Sequence, residues 1–166
     1  MSALIVYFSR AGENYVSGAL KELTVGNTQT AAEILHELTG ADMFRIEPVT
    51  PYSDSYNECI EQAKQDKQCN ARPAVKAFPK SLDGYDTVYL GYPNYWGTMP
   101  MCVLTFLEHF DFTGKTIKPF CTHEGSGMGS SEADIKTLCP GTKVEKGLAI
   151  HGSRMSGAKS LLEKWL

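Results

Sequence analysis

The chain has 166 residues, 42% of them hydrophobic and 21% charged, with a formal net charge of −3. That length suits one domain spanning 1–166 around one core, and a slightly acidic chain without a dense Lys/Arg block carries no footprint for nucleic acid. No stretch approaches the ~20 apolar residues that span a bilayer, so no membrane insertion is expected. The N-terminal apolar run is short and lacks the basic flank of a signal peptide, which makes a cytoplasmic setting the expectation.

Leu4-Ile5-Val6-Tyr7-Phe8 is a continuous apolar run, the pattern of a parallel strand covered on both faces. It ends at Ser9-Arg10. After Gly26-Asn27-Thr28, residues Ala31, Ile34, Leu35 and Leu38 recur at helical spacing and predict a helix from about Thr28 to Thr39, stopped by Gly40. The intervening residues 11–25 exceed what a short strand-to-helix turn needs and predict an inserted excursion, a small hairpin or loop. The first N–H groups of a helix lack partners and carry the positive end of its dipole. With Ser9, Asn27, Thr28 and Thr30 as further donors, this turn suits an anion; alternatively Asn27 or Thr28 only caps the helix and the glycines only make turns.

Asp42 to Glu47 predicts an exposed edge strand, ended by Pro48 and Pro51. Ser53 or Asp54 is placed to cap a second helix with Tyr56, Cys59, Ile60 and Ala63 on one side, fading near Asn70. Residues 72–83 form a polar, proline-punctuated connection. Asp86 to Tyr92 is a third strand, rich in β-branched and aromatic residues, and it delivers Pro93-Asn94-Tyr95-Trp96-Gly97-Thr98-Met99 at its end. Pro100 suits the first position of a helix whose buried stripe is Val103, Leu104, Phe106 and Leu107. A fourth strand, Thr116 to Thr122, runs into His123-Glu124-Gly125-Ser126-Gly127, with Ser130 or Ser131 as the next cap. Lys143 to Ile150 predicts a fifth strand and Gly157 to Leu166 a closing helix.

This alternation of strand and helix calls for a parallel sheet with helices on both faces, in which a ligand sits beyond the carboxyl ends of the strands where strand order reverses. Three loops there carry unusual residues. The first offers hydroxyls, Arg10 and a helix N-terminus, suited to phosphate; the second puts Tyr95 and Trp96 beside Gly97 and Thr98, suited to a flat ring. The third has glycines that admit close backbone approach, with Ser126 able to hydrogen-bond. A phosphorylated planar heterocycle fits all three.

The sequence here resembles the flavodoxin-like proteins, most closely a bacterial group that starts on a Y-F-S-R-x-G pattern. The matching pieces are Tyr7-Phe8-Ser9-Arg10, Gly26-Asn27-Thr28, Gly91 to Pro100, Phe106-Leu107-Glu108, Gly114-Lys115, Pro119 to His123 and Gly125-Ser126-Gly127, spread over the whole chain. The resemblance implies a doubly wound five-stranded parallel sheet of order 2-1-3-4-5 and noncovalent FMN. It matches Ser9, Arg10, Gly26, Asn27 and Thr28 to the phosphate loop, and Pro93, Asn94, Tyr95, Trp96, Gly97 and Thr98 with Thr122, His123, Glu124, Gly125, Ser126 and Gly127 to the two loops that hold the ring. The excursion at 11–25 departs from the compact loop of short flavodoxins and leaves open which of Asn14, Tyr15 and Val25 touch the flavin. Gly97 would allow a peptide flip toward the flavin N5.

Other chemistries fit less well. Gly127 stands where a C-x5-R phosphate-transfer loop starting at Cys121 needs arginine. Ser9 and Pro93 replace the acidic residues a phospho-receiver domain uses for Mg²⁺. His36, His109 and His151 have no metal-ligand spacing, and Cys59, Cys69, Cys102, Cys121 and Cys139 form no C-x-x-C. His123 is either a proton donor to flavin or quinone or simply a loop residue; no catalytic residue is assigned. The expected function is an FMN-binding electron-transfer protein serving a redox partner protein. The alternative is an FMN-dependent NAD(P)H:quinone or flavin oxidoreductase, and a third possibility is a flavin-free interaction module.

Overall fold

The structure, a computed structural model, describes residues 2–166. Its elements run β1 (Ser2–Tyr7), β2 (Gly12–Val16), β3 (Ala19–Leu23), α1 (Asn27–Thr39), β4 (Asp42–Arg45), α2 (Tyr56–Gln68), β5 (Tyr85–Pro93), α3 (Met101–His109), β6 (Thr116–His123), α4 (Ser131–Leu138), β7 (Lys143–Val144), β8 (Leu148–His151), a 3₁₀ turn (Gly152–Gly157) and α5 (Ala158–Trp165). With the β2–β3 hairpin set aside, the main sheet has the order β4-β1-β5-β6, continued by β7 and β8, every pair parallel. This is the doubly wound 2-1-3-4-5 order.

Period-two alternation in the central strands divides the core. Leu4, Val6, Phe8, Val88, Leu90 and Tyr92 face α3 and its neighbours, while Ile5, Tyr7, Tyr89 and Phe120 face α1 and α5. Both layers are closed, so the sheet is buried on both faces and the strands read as unbroken apolar runs. Gly40, at φ 69°, ends α1 in the left-handed conformation, its N–H donating to His36 O at 2.8 Å.

Residues 11–25 fold mostly as the β2–β3 hairpin, turning at Ser17 and Gly18 with φ of 52° and 85°. The helix starts depart from local expectation in detail. Ser55, not Ser53 or Asp54, caps α2, accepting from Glu58 N–H at 3.5 Å, while Ser53 Oγ accepts from Ser55 N–H at 3.1 Å. Pro100 precedes α3 as its cap residue. Ser130 stands at the N-cap position of α4 as expected, but its side chain accepts no helix N–H, its hydroxyl donating to the Asp134 carboxylate at 2.9 Å; Ser131 Oγ donates to Met128 O at 2.6 Å and accepts from the Tyr92 hydroxyl at 2.8 Å.

The expected fifth strand is broken into β7 and β8. Ile117 O on β6 accepts from Glu145 N–H at 3.0 Å, and two residues on, facing the same neighbour, Pro119 has no N–H to continue the ladder. The chain detours there, Gly147 N–H donating instead to the Glu132 carboxylate at 2.9 Å, and pairing resumes at Phe120 with Leu148.

Gly91 on β5 lies opposite Phe120 on β6, and a Cβ at residue 91 would stand 2.2 Å from the tip of that ring. Gly91→Ala is therefore expected to destabilise the fold by about 1–3 kcal/mol through overpacking. The check is urea unfolding, with a lower midpoint at unchanged slope and recovery on adding Phe120→Leu.

Candidate functional site

α1 begins without a side-chain cap and with no acidic residue in its first turn. Gln29 N–H donates to Ser9 Oγ at 3.1 Å and Thr30 N–H to Gly26 O at 3.1 Å, leaving the N–H groups of Asn27 and Thr28 without a protein partner among the described residues. Gly26 lets this helix start sit against the end of β1, since a Cβ there would fall 2.3 Å from Ser9 Oγ and 2.6 Å from Arg10 O. The Thr28 and Thr122 hydroxyls, both buried, share a hydrogen bond of 2.7 Å and join α1 to the end of β6.

Arg10 is spent on the backbone. Its guanidinium donates to Ser53 O at 3.0 and 2.8 Å, to Asp54 O at 2.9 Å and to Glu13 O, tying the first loop and the hairpin to the entry of α2. Glu13 completes the tie by accepting from Tyr56 N–H at 2.9 Å. Tyr15 of the hairpin leans on Tyr56 with ring centres 6.0 Å apart.

The loop after β5 is a tight turn in which Tyr95 N–H donates to Thr98 O at 2.8 Å while Trp96 and Gly97 have φ of 56° and 87°. A tryptophan in that region is strained and must be held from outside. Its indole N–H donates to Ile60 O at 2.8 Å, Lys67 Nζ donates to its carbonyl, and Lys64 Nζ lies 5.7 Å from the ring centre. The indole thus leans on α2. Gly97 N–H donates to Asn94 Oδ1 at 2.9 Å, so the Trp96–Gly97 peptide is engaged at both ends. Asn94 also bridges to the glycine loop, Nδ2 donating to Gly127 O at 2.8 Å.

In that third loop Gly125 and Gly127 have φ of 125° and 65°, and Gly125 N–H donates to His123 Nδ1 at 2.8 Å. Glu124 turns sideways. One carboxylate oxygen accepts from Ser17 N–H at 3.1 Å and lies 3.9 Å from His151 Nδ1; the other is buried without a partner. Gly152 is required beside it, because a Cβ would fall 1.8 Å from that oxygen.

Ser9, Arg10, Asn27, Thr28, Pro93, Asn94, Tyr95, Thr122, His123, Glu124 and Ser126 line one crevice of about 340 Å³. Trp96 and Gly97 line an adjoining chamber of about 440 Å³ that shares Arg10, Asn14, Tyr56, Asn94, Tyr95 and Ser126 with it. Gly26, Thr30, Thr98, Gly125 and Gly127 line neither space; Thr30 Oγ1 donates to Gly26 O at 3.4 Å and Thr98 Oγ1 to the Asp134 carboxylate at 2.5 Å. Asn14 and Tyr15 line the crevice and Val25 does not. Sequence reasoning missed Tyr56, Cys59, Ile60 and Ala63 of α2 as lining residues. Their helical spacing reads as a core stripe, yet only Cys59 and Ala63 are buried.

Cys121 is no nucleophile: burial pushes its thiol up to about 12, and it points at the Gly127 and Thr122 carbonyls. No cluster of three or more metal-ligating side chains exists among the described residues, and no helix is long and apolar enough to cross a membrane. Burial, then the His151 ring beside it, holds the His123 imidazole below the ordinary histidine range. Below about pH 6.5 the unfolded chain takes up a proton that the folded histidine still refuses. Stability is therefore expected to fall as pH drops through that window and to level off once the folded group protonates. The Gly125 amide, whose acceptor is His123 Nδ1, should lose protection against exchange, relative to its intrinsic rate at each pH, only once the folded ring itself protonates, and His123→Asn should remove the histidine's part of the pH dependence.

Two solved structures resemble this chain over nearly their whole length. One is a provisionally named flavoprotein from Bacteroides eggerthii DSM 20697, with 27% identity over 98% of each chain and a TM-score of 0.74. The other, equally provisional in name, is from Bacteroides uniformis ATCC 8492, with 26% identity over 98% of this chain and 97% of that one and a TM-score of 0.76. A flavoprotein from Lactobacillus acidophilus NCFM, solved in complex with FMN, shares the fold at 17% identity and a TM-score of 0.66, covering 96% of this chain and 98% of its own. No curated protein matches the sequence. The family model described as flavodoxin matches residues 4–166, and with the strand order and the three converging loops the chain belongs to the flavodoxin family.

Proposed function

We propose that this protein binds FMN noncovalently and moves electrons through it. The observation that carries the proposal is the single crevice that joins a bare helix N-terminus to an aromatic turn and a glycine loop. The Lactobacillus flavoprotein of the same fold, which was crystallised with FMN, supports the choice of ligand.

The residues present fit this cofactor. The Asn27 and Thr28 N–H groups, with the dipole of α1 behind them, offer a phosphate unspent donors. Ser9 Oγ, which accepts from Gln29 N–H, keeps its own proton for donation. Pro93, Asn94 and Tyr95 on one side and Thr122, His123 and Ser126 on the other would flank the ring and its sugar-like chain. The Tyr95 hydroxyl, paired with Cys59 Sγ at 3.7 Å and pushed well above its ordinary range by burial, stays a neutral wall group. When bound, the flavin supplies one- and two-electron chemistry, while the protein sets its orientation, dryness and potential. Electrons then come from a redox partner protein or from NAD(P)H. The walled chamber beside the crevice favours a second form of the same function, an FMN-dependent oxidoreductase acting on a small molecule.

Titration of FMN and riboflavin against the protein tests the assignment. FMN fluorescence is expected to be quenched to saturation at one site per chain, with riboflavin at least about tenfold weaker because it lacks the phosphate that the helix start recognises. Absence of quenching, or equal affinity for the two, overturns it.

A further inference from the structure

We infer that the β2–β3 hairpin is a hinged strap beside the crevice, fixed to α2 at its base and latched to the third loop by Glu124 at its tip, and that release of the latch lets the ligand in and out. The inference rests on the proposal that this ligand is FMN, and it concerns the ligand's passage rather than the groups that hold it.

The two ends of the hairpin are held very differently. At the base, Glu13 N–H donates to Asp54 O at 3.3 Å and the Glu13 carboxylate accepts from Tyr56 N–H at 2.9 Å. Glu13 O accepts from the Arg10 guanidinium, and Asn14 Nδ2 donates to Arg10 O at 3.1 Å. From Val16 to Leu23 the one hydrogen bond that leaves the hairpin, among the described residues, is Ser17 N–H to a Glu124 carboxylate oxygen at 3.1 Å. β3 pairs only with β2 and is exposed from Ala19 to Glu22. A two-stranded ribbon of this kind is not stable by itself, so these ties set its position.

The hairpin also walls the crevice. It runs from the entry of α2 to the loop after β6, and Asn14 and Tyr15 on the way line the crevice. Tyr15 is 41% exposed while lining it, so its ring stands between that space and solvent.

Glu124 suits a latch that lets go. Its second oxygen is buried without a partner beside Gly152, an unfavourable state for a carboxylate. His151 Nδ1, 3.9 Å from the oxygen that serves Ser17, accepts from Ser153 N–H at 3.1 Å and so does not donate to Glu124. Turning the carboxylate out to water satisfies the buried oxygen and offsets part of the bond lost to Ser17, which brings the closed and open positions close in free energy. The base, tied through several groups, then acts as the hinge.

Hydrogen exchange on the ligand-free protein and stopped-flow mixing with FMN test this together. In the wild type the Ser17 amide should be at least about tenfold less protected than that of Glu13. Gly18→Val puts a β-branched residue at φ 85° and displaces the neighbouring Ser17 N–H. It should raise the association and dissociation rates of FMN both about tenfold and leave Kd within about threefold, since the latch is the same with the ligand in or out. Ser17→Asn, which accepts the left-handed turn and keeps the N–H, should match the wild type. Glu124→Ala should abolish the remaining protection of Ser17 and leave that of Glu13 unchanged, which decides the matter if Gly18→Val fails to fold. Unchanged rates in Gly18→Val overturn the inference, as does faster dissociation alone, which would make the tip a ligand contact. Equal protection of Ser17 and Glu13 overturns it as well. Failure of FMN to bind the wild type would overturn the FMN assignment instead, with the exchange pattern still deciding whether the tip opens.

Discussion

The carboxyl end of β1 is clamped from both sides, and the rest of the molecule follows from that. Tyr7 O accepts from Ile46 N–H at 2.7 Å on one side, and Phe8 N–H donates to Gly91 O at 3.0 Å on the other. Two parallel neighbours reached by right-handed crossovers send their helices to opposite faces of the sheet. Where the connections part, immediately after Phe8, nothing can fill the gap from within the sheet. Ser9 stands at that gap, buried, with the start of α1 on one side and the ends of β5 and β6 on the other.

The parts of the fold that sequence displays well are those whose residues face apolar surroundings on both sides. β1 and β5 show continuous apolar runs because both faces of the sheet are covered, and Gly40 reveals the end of α1 because a left-handed residue is needed there. The break between β7 and β8 escapes such reading, since it arises in β6, at Pro119, rather than in the interrupted segment itself. The cap of α2 escapes it too: Ser53, Asp54 and Ser55 are equivalent as residue types, and only the path set by Arg10 and Gln62 selects Ser55.

The candidate site divides the same way. Glycines and aromatics at strand ends are visible because few other sites need them there; Tyr95 lines the crevice and Trp96 and Gly97 the adjoining chamber, while Gly26, Gly125 and Gly127 shape the loops without lining either. The contribution of α2 is invisible because a cavity wall and a core stripe use the same apolar residues at the same spacing. Arg10 shows a further limit. A lone arginine beside a glycine-rich turn suits a phosphate, yet three carbonyls pointing the same way bind it equally well. Which of the two prevails depends on the path of residues 53 and 54, distant in sequence.

With Arg10 so engaged, the anion site relies on backbone dipoles rather than on a mobile cation, and that affects what surrounds it. Oriented N–H groups act over a short range and only where water is kept out, so the wall around α1 must be firm. The β2–β3 hairpin supplies it through three polar ties: the Arg10 guanidinium on Glu13 O, the Glu13 carboxylate on Tyr56 N–H, and Glu124 on Ser17 N–H. Two of these ties meet at Glu13, near the base of the hairpin, and the third at Ser17 in its turn. An otherwise exposed two-stranded ribbon, too small to be stable alone, is thereby held at its base and its tip. The charged side chains around this site thus serve the backbone that frames the ligand, and the contacts left for the ligand itself come from N–H groups, hydroxyls and apolar walls.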